Sequence, residues 1–341
     1  MTWVVTGAAG FVGSHLVHRL VRQGIETVGI DNLNGYYSPA FKRDRLADLD
    51  DNAAFRFHQL DLCDLEATVN LCSSVRPDVI VHLAAQPGIR HALAHPAPYV
   101  HDNLVGFLSV LESARAIDLP HLLYASSSSV YGSTSRLPFS VHDPADHPVS
   151  LYAATKRANE LMAHSYSDLF GIPTTGLRFF TVYGPWGRPD MAYFLFAQAI
   201  LDGTPITVNG DGSALRDLTY VDDIVEGIVR IAAIPPLPDA TWSPSDPDPA
   251  TSRAPWRLYN IGHGENLTVN HLIEVLEQLL RKTAVRRRGP EIPGDVPVTH
   301  ADVADLAAMI DFRPQWTAED GLAAFVKWLL AYRAAGRNVE L

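Results

Sequence analysis

The run Thr6-Gly7-Ala8-Ala9-Gly10-Phe11-Val12-Gly13 constrains this chain more than any other stretch. It follows the apolar residues Trp3-Val4-Val5 and opens an amphipathic segment from Ser14 to Gln23, so it reads as strand, glycine-rich turn and helix. Such a turn offers backbone N–H groups and the positive end of a helix dipole to a phosphate. Glycine is required because a side chain would hold a pyrophosphate off the backbone. Glycine turns also serve close packing alone, and the next element weighs against that reading. Thr27-Val28-Gly29-Ile30 forms a second strand that ends in Asp31, a carboxylate placed to accept both hydroxyls of an adenosine ribose. No arginine immediately follows Asp31 to meet a 2′-phosphate, so NAD is expected rather than NADP.

Beyond this turn, strand-like runs alternate with helix-length segments. Phe55 to Leu60, Val79 to Leu83 and Leu122 to Ala125 are the next three strands. The rhythm predicts parallel βαβ units in an α/β, Rossmann-type doubly wound sheet, with ligands gathered at the carboxyl ends of the strands. The informative residues fall at those ends. Asp61-Leu62 closes the third strand, either toward an adenine edge or as an Asx turn. Leu83-Ala84-Ala85-Gln86 closes the fourth, with small residues where backbone would approach a cofactor. Asn103, on a helical segment from Tyr99 to Arg115, is a partner of the cofactor region or a polar residue bending a core helix, and spacing does not decide. Ser126 to Ser129 close the fifth strand.

A second informative stretch is Tyr152-Ala153-Ala154-Thr155-Lys156, at the start of a helix that runs through Phe170. Tyr and Lys four residues apart share one helix face. From there the ammonium can lower the phenol pKa and make Tyr152 a proton carrier, with Ser127 bridging phenol and substrate hydroxyl. A strand from Thr174 to Phe179 leads into Phe180 to Met191, a stretch too rich in Gly and Pro to be regular and suited to ligand contacts. Arg188 and Arg216 are the cations expected on a diphosphate or carboxylate, a surface ion pair being the plain alternative for each. Residues 235–255, dense in Pro, Asp and Ser, read as a mobile surface loop. The division expected is residues 1–180 for the cofactor and catalytic groups and mainly 181–341 for a smaller α/β substrate-binding cap, with the chain free to cross between them.

Charge and composition remove other classes. The net charge of −11 over 341 residues argues against nucleic-acid and anionic-membrane partners, which need a cationic surface. No apolar run is long enough to span a bilayer, and the chain enters its first strand at once, so neither anchor nor signal peptide is expected and a cytoplasmic location is. Cys63 and Cys72 have no His or Cys partner at metal-ligand spacing, so no metal is expected.

Taken together, Gly7-x-x-Gly10-x-x-Gly13, Asp31, Ser127, Tyr152-x-x-x-Lys156 and Arg216-Asp217 resemble the extended short-chain dehydrogenase/reductase family, the nucleotide-sugar epimerases and dehydratases. Ala85 to Arg90, Ser126 to Gly132, His147 to Tyr152 and Phe179 to Met191 look most like its UDP-glucuronate 4-epimerases. The resemblance implies NAD held by Gly7, Gly10, Phe11, Val12, Gly13, Asp31, Asn32, Asp61, Leu62, Leu83, Ala84, Ala85, Asn103, Tyr152, Lys156 and Phe179. It implies a UDP-sugar held by Gln86, Arg90, Ser127, Ser128, Ser129, Tyr152, Thr181, Arg188 and Arg216.

The related 4,6-dehydratases carry an Asp-Glu pair after the residue matching Ser127, and decarboxylating relatives a glutamate at Ser129. Here both positions are serine, so the resemblance implies epimerisation of UDP-glucuronic acid with its carboxylate retained. The competing readings are a 4-epimerase of a neutral UDP-hexose and, remotely, a non-catalytic NAD-binding scaffold. Glucose-type relatives place an arginine before Pro-Gly-Asp where this chain has Ile292, which leaves Arg216 and Arg286-Arg287-Arg288 as diphosphate candidates. The helices Tyr99 to Arg115 and Tyr152 to Phe170 resemble those through which the family forms homodimers.

Overall fold

Seven parallel strands form the centre of the computed structural model, which describes residues 1–290 and 296–339, the Arg90 side chain excepted. They are β1 (Thr2–Thr6), β2 (Glu26–Asp31), β3 (Phe55–Gln59), β4 (Val79–His82), β5 (His121–Ser127), β6 (Thr174–Phe179) and a seventh, Trp256–Ile261. Their order across the sheet is seventh, β6, β5, β4, β1, β2, β3. Every pairing is parallel. Residues of β4 and β5 are buried throughout, as expected of strands covered on both faces. Side chains alternate between two cores: Val4, Ile80 and Leu122 pack beneath helices Leu65–Val75, Gly106–Ala116 and Leu151–Phe170, while Val5, Val81 and Leu123 face helices Phe11–Arg22 and Val221–Ala232.

Strand order reverses between β1 and β4, and a crevice opens there at the carboxyl ends. The cap covers it. Thr181–Tyr183 pairs in parallel with Leu218–Tyr220, so the stretch expected to be irregular contains a short strand. Ile206–Asn209 pairs with Arg286–Gly289, and Leu215–Arg216 runs antiparallel to Leu267–Thr268. Beyond residue 181 the chain also adds to the main sheet. Its seventh strand extends the main sheet, and Val221–Ala232 packs on Phe11–Arg22.

Two local features depart from the sequence reading. The segment expected as one helix from Tyr99 to Arg115 is helical at Pro96–Val100 and Gly106–Ala116 but makes a π turn over His101–Val105, where Asn103 sits. Residues 235–255 are irregular, yet their second half is packed: Ala250, Ser252 and Ala254 are buried, and Leu258 N donates to Ala250 O at 3.0 Å. Ala250 reaches the core under Leu151–Phe170, which anchors the segment.

Candidate active site

The glycine turn is closed to side chains. Gly7 has φ +69°, and a Cβ there would lie 2.7 Å from Ala84 N; a Cβ on Gly13 would lie 2.0 Å from Gly7 O. The helix behind the turn, Phe11–Arg22, has no side-chain cap and no acidic residue in its first turn, so its leading N–H groups and dipole are left for an anion. Asp31 ends β2 with Oδ2 accepting from Ala9 N at 3.2 Å and Oδ1 from Leu33 N at 2.8 Å. Asn32 donates to Asp61 at 3.1 Å, and Asp61 also accepts from Cys63 N at 2.9 Å. Burial would raise the Asp61 pKa, but these donors outweigh it and hold the carboxyl low. The Asx turn weighed for Asp61 is therefore present, and Asp61 also faces the crevice.

The crevice encloses about 920 Å³. Gly7, Gly10, Phe11, Val12, Gly13, Asp31, Asn32, Asp61, Leu62, Leu83, Ala84, Ala85 and Phe179 line it, as do Ser127, Tyr152 and Lys156. An uncapped helix start, a turn with no room for Cβ atoms and a carboxylate at the end of β2 fit a dinucleotide. Asn103 does not line the crevice. Its Oδ1 accepts from Gln86 N at 2.7 Å, and its Nδ2 donates to Gln86 O at 3.2 Å and Thr155 Oγ1 at 3.0 Å. It therefore ties the loop after β4 to the helix of Tyr152.

Ser150 caps that helix by accepting from Ala153 N, and Gly171 ends it in the left-handed conformation. The cap puts Tyr152 in the first turn, at the crevice, with Lys156 one turn deeper. The ammonium donates to Ala125 O at 2.9 Å, and burial lowers its pKa to about 8. Burial raises the Tyr152 pKa, with the Arg188 charge and a hydrogen bond with Ser127 pulling the other way. Lys156 is thus anchored to the β5 backbone, and Arg188 places a second positive charge near the phenol. Ser127 Oγ donates to Ser129 Oγ at 3.1 Å and accepts from Ser129 N at 3.2 Å.

Gln86, Ser128 and Ser129 from the main-sheet strand ends and Thr181, Arg188 and Arg216 from beyond β6 also line the crevice. Gln86 is buried, and among the described residues its Nε2 has no partner within hydrogen-bonding geometry, a donor available to a ligand. Arg188 holds Asp190 at two points, Nε to Oδ1 at 3.1 Å and Nη2 to Oδ2 at 2.6 Å, and Tyr36 donates to Oδ2 at 2.9 Å. The surface ion pair weighed for Arg188 is therefore a pair inside the crevice. Arg216 donates to Leu215 O at 2.9 Å. Arg286 pairs with Glu277 at 2.8 Å, and the basic run Arg286-Arg287-Arg288 does not line the crevice. Ile292 and the Arg90 side chain lie outside the described residues.

Sequence reasoning missed several groups. Tyr36 comes from a loop with no chemical motif of its own, and Asp190 from the Phe180 to Met191 stretch, where only Arg188 drew attention. Glu160 lies one turn beyond Lys156, fully buried, and bonds Arg178 on β6 at 2.8 and 3.0 Å and Ser126 on β5 at 2.5 Å. Its signal was present: an acidic residue at the same helical spacing as Tyr152 and Lys156. Cys63, expected to stand alone, has His101 Nδ1 3.4 Å from its sulfur.

Among known proteins, residues 3–237 match the NAD dependent epimerase/dehydratase family. The chain is 48% identical to Protein CapI of Staphylococcus aureus over 332 residues, covering 97% of this chain and 99% of that protein. It is 44% identical to a probable UDP-glucuronate 4-epimerase of Rhizobium meliloti (strain 1021), covering 96% of each. Among solved structures, the UDP-glucuronic acid 4-epimerase of Bacillus cereus, in complex with UDP-glucuronic acid and NAD, superposes with a TM-score of 0.86 at 32% identity, covering 97% of this chain and 99% of that one.

Proposed function

The chain belongs to the NAD dependent epimerase/dehydratase family, and from that premise we infer that it is an isomerase converting UDP-glucuronic acid to UDP-galacturonic acid. The observation that carries the reading is the meeting of Tyr152, Ser127 and Arg188 in the crevice, with hydroxyls at Ser128 and Ser129 where elimination would need an acid and a base. NAD, held by the glycine turn and Asp31, would supply a reversible hydride acceptor for the sugar.

Each side chain then has a task. Tyr152, as the phenolate favoured by the Lys156 and Arg188 charges, takes the proton of the 4-hydroxyl through or alongside Ser127 and later gives it back. Lys156, held by Ala125 O, keeps a positive charge beside that exchange. Gly7, Gly10, Gly13 and Asp31 hold the cofactor, with Asp31 on the adenosine ribose. Arg216 is assigned to the diphosphate, about which the 4-keto sugar turns over. A 4-keto uronic acid is a β-keto acid and loses CO₂ when its carboxylate stands perpendicular to the carbonyl plane. Thr181, Ser128 and Ser129 restrain that carboxylate, and Arg188, already oriented by Asp190, holds the substrate nearby.

The test is to incubate the purified protein with UDP-glucuronic acid, without added reductant, and follow products by NMR. UDP-galacturonic acid as sole product is expected. Conversion of UDP-glucose but not of the uronic acid would keep the mechanism and overturn the substrate, and no turnover of either with NAD bound would favour a scaffold.

A homodimer and a cytoplasmic location complete the proposal. Leu108, Leu161, Leu169 and Phe170 are exposed on Gly106–Ala116 and Leu151–Phe170, an apolar surface that pairing would cover. Monomer alone in analytical ultracentrifugation at micromolar concentration would refute the dimer. Among the described residues no helix is long and apolar enough to cross a membrane.

A further inference from the structure

We propose that Cys63, His101 and Asp102 form a site for a divalent transition metal, zinc foremost, at the rim of the crevice beside Asp61. Their donor atoms converge: Cys63 Sγ lies 3.4 Å from His101 Nδ1, that nitrogen lies 3.0 Å from Asp102 Oδ1, and all three lie within 4.8 Å of one another. Tetrahedral zinc, with bonds of ~2.3 Å to sulfur, ~2.0–2.1 Å to imidazole nitrogen and ~2.0–2.2 Å to carboxylate oxygen, sets such donors roughly 3.4–3.6 Å apart. The sulfur–nitrogen and nitrogen–oxygen pairs are within a few tenths of an ångström of that spacing, and the sulfur–carboxylate pair, inside 4.8 Å, closes by at most on the order of 1 Å through side-chain rotation.

The donors stand on two braced pieces of backbone. Cys63 N is held by Asp61 Oδ1, and Asp64 caps the helix that follows by accepting from Ala67 N at 3.0 Å. His101 and Asp102 open the π turn that Asn103 fastens to Gln86. The His101 side chain is 62% exposed, so an ion can enter and water can supply the fourth ligand. Thiolate and imidazole beside a single carboxylate select zinc or copper over magnesium or calcium. Binding forms the metal–sulfur bond and releases the Cys63 thiol proton to solvent, with no change of oxidation state.

Occupancy would join the turn after β3 to the π turn, and both Cys63 and Asp102 line the crevice. Metal and cofactor are accordingly linked, each changing the affinity of the other by the same factor. The inference is independent of which sugar is the substrate.

The test is a cobalt(II) titration of the reduced, full-length protein. The expected result is one equivalent bound with thiolate-to-cobalt and tetrahedral d–d absorption, bleached by zinc. The signal is expected to vanish in Cys63→Ser and in His101→Ala, to persist in Cys72→Ser, and to be read beside circular dichroism showing all variants folded. Absence of these bands in the parent, or their persistence in either Cys63→Ser or His101→Ala, overturns the site. In the same samples zinc is expected to change the NAD dissociation constant of the parent several-fold and leave that of His101→Ala unmoved; an unchanged constant in the parent overturns the link.

Discussion

Lys156 and Ala125 are joined by a hydrogen bond of 2.9 Å that runs from a buried ammonium to the carbonyl two residues before Ser127. The bond fixes the amine beneath the floor of the crevice, where burial lowers its pKa from 10.5 to about 8. Above about pH 8 the folded protein sheds this proton while the unfolded chain keeps it up to about 10.5, so the group makes unfolding harder as pH rises through that window. The gain is at most about 3 kcal/mol. Denaturant titrations of the parent and Lys156→Met at pH 7 and pH 10 are expected to show the parent gaining on the variant at the higher pH. Parallel behaviour would mean that the amine titrates normally.

Tyr152→Phe removes the proton carrier and leaves the ring. Turnover of UDP-glucuronic acid is expected to fall by about 10²–10⁴. NAD affinity, followed by fluorescence quenching, should fall by no more than about ten-fold, the loss of one neutral hydrogen bond worth roughly 0.5–1.5 kcal/mol. Near-parental turnover would remove Tyr152 from the mechanism.

Restraint of the substrate carboxylate has its own signature. Thr181→Ala and Ser129→Ala are expected to release a UDP-pentose and CO₂ beside the epimer, because the freed carboxylate can turn perpendicular to the 4-keto group. NMR of the product mixture reads the ratio directly. No more pentose than the parent makes would show that these hydroxyls do not hold the acid.

Arg188 and Asp190 neutralise one another inside the crevice. Replacing both, as Arg188→Gln with Asp190→Asn, leaves neither charge unpaired. Loss of a charge-assisted hydrogen bond worth roughly 1.5–3 kcal/mol raises KM for UDP-glucuronic acid on the order of 10- to 100-fold. A neutral UDP-hexose should be affected much less. Equal losses on both substrates would assign Arg188 to the nucleotide instead.

Glu160 balances Arg178 in the core behind the catalytic residues. Glu160→Gln leaves a buried guanidinium without its counter-charge, at an expected cost of about 3–5 kcal/mol. Burial would raise the Glu160 pKa, but Arg178 outweighs it, so the pair stabilises the fold above the ordinary carboxyl range and its contribution fades as pH falls below it. An unchanged urea midpoint for Glu160→Gln at pH 7 would contradict this account.

Local sequence determined the sheet, the glycine turn and most of the crevice. The reason is that strand, turn and helix signals are carried by neighbours: Gly7 to Gly13 must turn tightly, Asp31 must end β2, and Ser150 must start the helix that carries Tyr152 and Lys156. Spacing on that helix put two groups on one face, but it could not say what each would meet. Tertiary structure decided that the Lys156 ammonium turns to Ala125, that Arg188 comes near Tyr152, and that Asn103 braces the loop after β4. It also brought Tyr36 to Asp190, 154 positions away, and His101 to Cys63 across 38. Those relations depend on which strand ends and loops the parallel sheet brings together, and no periodicity along the chain records them.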